Sequence, residues 1–153
     1  MEIRLAESAG NVSEVRRLFE EYWKAFGFTP CFQNFDAEVA GLPGAYAPPG
    51  GRLALAWIEG AAAGCGALRR FDAERCEAKR LYVRPEFRGQ RVGRALLAWL
   101  IAEARNAGYS EMVGDTLPVM ATALAMYERA GFERTGPYAG EETPGAIYLR
   151  LRL

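Results

Sequence analysis

The stretch Leu81–Ile101, LYVRPEFRGQRVGRALLAWLI, constrains this chain most, because its periodicity changes from strand to helix within a few residues. Leu81, Tyr82 and Val83 are β-formers, and Pro85 ends the ladder because proline has no N–H to donate. A short basic loop carrying glycine follows. From about Val92 the apolar residues Leu96, Leu97, Leu100, Ile101 and Ala104 recur at three- and four-residue steps, which predicts a helix with one broad face on a sheet. Burying each large side chain of that face contributes roughly 1.5–3 kcal/mol. The helix N-terminus is therefore held rigidly where the loop delivers it.

The first amides of a helix have no internal partner and carry the positive end of the macrodipole, so such a junction suits an anion. Gly89 and Gly93 leave those amides approachable, and Arg88, Arg91 and Arg94 supply charge-assisted donors. A basic turn ahead of a surface helix is the plainer reading, but glycines, arginines and the switch together favour an anion site. The loop has neither the G-x-x-x-x-G-K-[S/T] order of a nucleotide P-loop nor the G-x-G-x-x-G of a dinucleotide fold.

Around this junction the chain reads as one domain, residues 1–153, in the order βα(α)βββαβαβ. Expected strands are 2–7, 52–58, 61–71, 75–83, 111–116, 132–134 and 146–153. A helix capped by Asn11 or Ser13 runs to about Phe26, a short one spans about 35–42, and another spans 120–130 with Gly131 as its terminator. The fold class expected is α/β, a mixed and mostly antiparallel sheet with helices on both faces.

Nineteen basic residues balance nineteen acidic ones, so no global field favours nucleic acid or an anionic membrane. The basic cluster at 84–94 is local, which suits a small anionic ligand. No apolar run approaches the roughly 18 residues of a membrane span, and the N-terminus lacks signal-peptide character, so a cytoplasmic protein is expected. Cys31, Cys65 and Cys76 match neither a disulfide framework nor a zinc site and read as small buried thiols. The chain has no histidine, which removes the commonest metal ligand and general base. No metal is expected.

Gln90-Arg91-Val92-Gly93-Arg94-Ala95 resembles the R/Q-x-x-G-x-G/A acyl-CoA signature of the GCN5-related N-acetyltransferases (GNAT), and Leu81-Tyr82-Val83-Arg84-Pro85 resembles that family's strand and its exit. A second match lies at Ala123–Phe132, similar to the family's A-x-x-L/M-Y-x-x-x-G-F helix beside the thiol end of the cofactor. The two cover about residues 75–135. The resemblance implies an acyl-CoA N-acyltransferase-like fold and acetyl-CoA as co-substrate. Leu81, Tyr82, Val83, Arg88, Gly89, Gln90, Arg91, Val92, Gly93, Arg94 and Ala95 would contact it. Met120 departs from the pattern, since the family often has an asparagine there that touches the cofactor.

The activity implied is transfer of an acetyl group to a primary amine by direct attack, with a small-molecule acceptor ahead of a protein or peptide. A non-catalytic acyl-CoA-binding module is the alternative from another class, and under either reading the chain is expected to be a monomer or a homodimer. Direct transfer needs a base for the amine, a donor to the carbonyl oxygen and an acid for the thiolate. Glu77 is the candidate base. It lies six residues before Val83, so alternation puts both on one strand face, and it matches the glutamate that serves some family members; a partner for Arg75, Lys79 or Arg80 is the plainer reading. Tyr127 is the candidate acid or, equally in keeping with its helix face, a core aromatic. By resemblance, the Val83 N–H is the carbonyl donor. Tyr22, Phe28, Phe32, Phe35 and Tyr138 are candidates for an acceptor pocket or for core, and Glu141 and Glu142 for attracting a cationic amine.

Overall fold

The structure, a computed structural model, describes residues 1–29, 32–139 and 143–153, so the expectations for Cys31, Glu141 and Glu142 lie outside the described residues. The elements are β1 (Glu2–Leu5), α1 (Ala9–Ala25), α2 (Phe35–Ala40), β2 (Arg52–Ile58), β3 (Ala61–Arg70), β4 (Arg75–Val83), α3 (Val92–Asn106), β5 (Glu111–Thr116), α4 (Ala121–Arg129), β6 (Glu133–Thr135) and β7 (Ile147–Arg152). The strands form one sheet in the order β1-β2-β3-β4-β5-β7-β6. Only β4 and β5 pair in parallel.

The apolar stripe of α3 lies on one face of this sheet, with Leu96, Leu97, Leu100, Ile101 and Ala104 all buried beside Met112 and Leu149. Helix α1 covers the other face through Val15, Leu18 and Phe19, joined by Val12, Trp23 and Phe35. Helices thus cover both faces, as the element order implies. Among the described residues no helix is long and apolar enough to cross a membrane.

Several boundaries differ from expectation for local reasons. Ser8, not Asn11 or Ser13, caps α1: its hydroxyl accepts from the Asn11 amide at 3.1 Å, so the helix starts earlier. Helix α2 stops at Ala40, because Leu42 precedes Pro43 and is kept out of helical conformation. Phe132 closes the C-terminal turn of α4, its amide bonded to the Tyr127 carbonyl at 3.1 Å, so β6 begins one residue later.

The departure with most consequence lies inside β4. The register against β3 runs Ala67↔Lys79 before it slips and Cys65↔Tyr82 after it, so β4 carries one extra residue. Arg80 takes the left-handed conformation there, at φ 60°. Its guanidinium is gripped by both Glu38 oxygens at 2.8 and 2.9 Å and lies 4.4 Å over the Trp23 ring, which holds a non-glycine residue in a strained region. The bulge shifts the alternation: Cys76 and Ala78 face α3, and then Leu81 and Val83 do, while Tyr82 faces α1. Glu77 and Val83 therefore point to opposite faces, and the same-face expectation fails.

Gly64 faces this bulge, where a Cβ would stand 2.6 Å from the Tyr82 carbonyl oxygen. The close approach that Gly64 permits is thus to backbone, and at Gly66 it is to Leu100 and Leu81 of the core, rather than to a ligand. Gly64→Ala is expected to destabilise the fold by about 1–3 kcal/mol through overpacking. Urea unfolding measures this, and an unchanged midpoint would mean that the bulge yields freely.

Candidate active site

Strands β4 and β5 stay paired only from Arg75↔Glu111 to Glu77↔Val113. Beyond that they part, and a cavity of about 790 Å³ opens between them. In the antiparallel ladder with β3, the Arg84 amide bonds the Ala63 carbonyl at 2.9 Å. Its neighbour Val83 must then direct its N–H and C=O the other way, toward the gap that β5 has left. The Val83 carbonyl is taken by Arg88 Nε at 3.2 Å, which ties the loop to the strand end. The Val83 N–H remains as a donor facing the gap.

The loop then builds an anion cradle. Gly89 and Arg91 both have positive φ, 82° and 63°. Among the described residues, the N–H groups from Gly89 to Arg94 donate to no backbone acceptor; the first bond is Ala95 N–H to Arg91 at 3.0 Å. Consecutive free amides around left-handed residues form a nest at the positive end of α3. Leu81, Tyr82, Val83, Arg88, Gly89, Arg91, Val92, Gly93 and Arg94 all line the cavity, whereas Gln90 and Ala95 do not. A Cβ on Gly93 would meet Met126 Sδ at 3.2 Å and Val83 Cγ2 at 3.5 Å, so this glycine keeps open the cleft between α3, α4 and β4.

Tyr127 reaches the same cavity from α4. It packs edge-on to Phe132, its hydroxyl hydrogen-bonds no described residue, and burial pushes its pKa well above the ordinary phenol value. It is protonated and free to donate. Met120 also lines the cavity, at the start of α4, where its sulfur accepts from the Tyr22 and Thr116 hydroxyls, both at 3.6 Å. Burial pushes the Tyr22 hydroxyl up to about 12.

Glu77 is not part of the wall. It is 5% exposed, one oxygen accepts from Arg69 Nε at 2.9 Å, and the other accepts from the Tyr138 hydroxyl at 2.8 Å. Among the described residues, the carboxylate that does line the cavity is Asp115, on β5 where the strands have parted. Burial raises its pKa, with Lys79 acting in the opposite sense. In the sequence, Asp115 carries no sign of a role as base beyond a lone charge between Gly114 and Thr116, both of which the fold buries.

The other end of the cavity is aromatic. Tyr22, Trp23, Phe26, Phe28 and Phe32 line it, whereas Phe35 is core beneath Trp23, with rings stacked at 4.0 Å, and Tyr138 serves Glu77. Cys65 and Cys76 are buried free thiols.

An amide nest, a parted strand pair, a protonated phenol and a desolvated carboxylate in one cleft suit acyl transfer from a phosphate-bearing thioester. The chain belongs to the acetyltransferase (GNAT) family, whose profile matches residues 12–132. That membership makes it an N-acetyltransferase of the GNAT type. It is 39% identical over 145 residues to an uncharacterized N-acetyltransferase of Schizosaccharomyces pombe, spanning 94% of this chain and 89% of that one. A GNAT family acetyltransferase from Elizabethkingia anophelis, solved with acetyl-CoA bound, is 25% identical with a TM-score of 0.62, over 81% of this chain and 84% of its own. The fold is matched more fully by an acetyltransferase from Streptococcus agalactiae, at 19% identity and a TM-score of 0.83 over 99% and 98% of the two chains.

Proposed function

We propose that this chain transfers the acetyl group of acetyl-CoA to a primary amine of a small molecule by direct attack. The observation that carries this reading is the run of free amides from Gly89 to Arg94 opening onto the cavity that also holds Val83, Asp115 and Tyr127. The pyrophosphate of CoA lies on the nest with Arg88, Arg91 and Arg94 beside it, and the thioester arm runs into the gap between β4 and β5.

Asp115 takes a proton from the acceptor ammonium, and the freed lone pair forms the N–C bond at the thioester carbonyl. The Val83 N–H stabilises the charge that develops on the carbonyl oxygen. As the C–S bond breaks, its electron pair stays on sulfur and takes the Tyr127 proton. The nitrogen's second proton leaves through the phenolate or solvent, and the products are amide and CoA thiol. In this reading Glu77 acts through others, holding Arg69 and Tyr138 behind the site.

Thiol release from acetyl-CoA across a panel of amines tests the reading. Free CoA with at least one amine is expected; tight CoA binding with no release from any amine would leave a binding module instead. Gly93→Val tests the cofactor's path. Its methyl groups crowd Met126 and Val83, so CoA affinity is expected to fall at least about tenfold, or about 1.4 kcal/mol. Calorimetric binding at the natural affinity would take the thioester arm out of this cleft.

A further inference from the structure

The charges in the acceptor end of the cavity do not cancel in the way a plain amine substrate requires. Among the described residues, the charged side chains that β4 and β5 bring to the cavity are Lys79, Arg80 and Asp115. Arg80 is fully committed, forked onto Glu38 and bonded to Gln33 at 3.1 Å. Asp115 receives the acceptor ammonium in the proposed reaction. That leaves Lys79. Among the described residues it makes no hydrogen bond and no ion pair within 4.0 Å, although it is half-buried. Burial and the adjacent Arg80 charge lower its pKa, while Glu77 and Asp115 pull the other way. A half-buried ammonium without a close partner is expensive unless an anion completes it.

The register places the two charges for one small molecule. Glu77 and Val113 are opposite each other in the last parallel pair, so Lys79 and Asp115, each two residues on, share the face that α1 covers. They stand across the mouth of the gap on strands that have begun to separate. A ligand between them meets a cation on the β4 side and a carboxylate on the β5 side. Beyond Lys79, over Arg80, lies the aromatic wall. Trp23, Phe28 and Phe32 contact one another with ring centroids 4.8 to 5.7 Å apart, and Phe28 and Phe32 keep part of their surface exposed.

Building on the proposed acetyl transfer, we propose that the acceptor is a free α-amino acid with an aromatic side chain. Its ammonium lies on Asp115, its carboxylate on Lys79 and its ring against Trp23, Phe28 and Phe32. A monoamine leaves Lys79 without its anion, a diamine sets a second cation against it, and a peptide amine has no carboxylate beside the reacting nitrogen.

The test compares L-phenylalanine with phenethylamine and L-phenylalaninamide, which lack only the carboxylate, and with L-alanine, which lacks the ring. Thiol release from acetyl-CoA reports kcat/KM. L-phenylalanine is expected to exceed each of the other three by at least about tenfold, the size of one charge-assisted contact or of a filled apolar pocket. In Lys79→Met the phenylalanine-to-phenethylamine ratio should fall at least about tenfold, and Lys79→Arg should recover most of it, which a merely structural lysine would not produce. Equal or better use of phenethylamine or the amide by the natural chain overturns the proposal, as does a ratio unmoved in Lys79→Met. Turnover confined to polyamines, the lysine side-chain amine or peptides overturns the aromatic amino-acid acceptor and leaves acetyl transfer standing. No release of CoA with any amine overturns both.

Discussion

Asp115→Asn is expected to lower kcat/KM for acetyl transfer by about 10²–10⁴ near neutral pH, the range of a lost general base, with CoA affinity preserved. The amine sets the reason. At an ordinary pKa of ~10.4, only about one alkylamine in 2,500 is neutral at pH 7. The variant must wait for that fraction, so its deficit should shrink as pH rises. In the natural chain the base must be ionised, and burial raises Asp115 above the ordinary carboxylate value of ~3.9. The acidic limb of the pH–rate profile should therefore lie above that value and vanish in the variant.

Stability supplies an independent sign. A carboxyl whose folded-state pKa is raised binds protons more readily in the folded chain, so its contribution is lost as pH climbs through the folded value. At neutral pH ionised Asp115 opposes folding, and Asp115→Asn should raise Tm while it removes activity. Glu77→Gln should do the reverse to stability. It leaves Arg69 without the carboxylate that it meets at 2.8 Å and weakens the bond from Tyr138. If Glu77→Gln instead shows the pH-dependent deficit at unchanged Tm, and Asp115→Asn keeps full activity, the base is Glu77.

The position of Glu77 shows what the residues reveal and what they hide. Strands β2, β4 and β5 have the bounds that composition and turns imply, and the apolar stripe of α3 is buried as its spacing requires. Periodicity suffices there, because burial repeats it residue after residue. The bulge has no such repetition. Left-handed positions usually advertise themselves with glycine, but here the residue is Arg80, held by Glu38 from 42 positions away in sequence. A strand-face argument run across it arrives on the wrong side. Its one local trace is Gly64, on the neighbouring strand, whose missing Cβ makes room for the Tyr82 carbonyl. The nest was half legible in the same way: Gly89 declares its positive φ, and Arg91 does not. Lys79, beside Arg80 in β4, and Asp115 in β5 read as ordinary strand charges and come to face one gap only where β4 and β5 part.

Tyr127→Phe is expected to lower kcat by about 10²–10⁴, the range for a lost general acid, with little change in Tm. The hydroxyl hydrogen-bonds no described residue, and the ring's contact with Phe132 survives, so the fold does not depend on the deleted atom. Burial keeps this phenol protonated well past the ordinary value near ~10, so in the natural chain the acid is present across the whole working range. The deficit should then respond to pH differently from that of Asp115→Asn. Raising the pH frees the amine but does nothing for a thiolate that departs without a proton, so the Tyr127→Phe deficit should stay flat where the other shrinks. The double variant locates the two groups on the reaction path. If base and acid act on separate bonds, their losses add at neutral pH, and only the Asp115 part fades at high pH. A Tyr127→Phe deficit that also fades as pH rises would place the phenol on the amine's side of the reaction and remove it as the donor to sulfur.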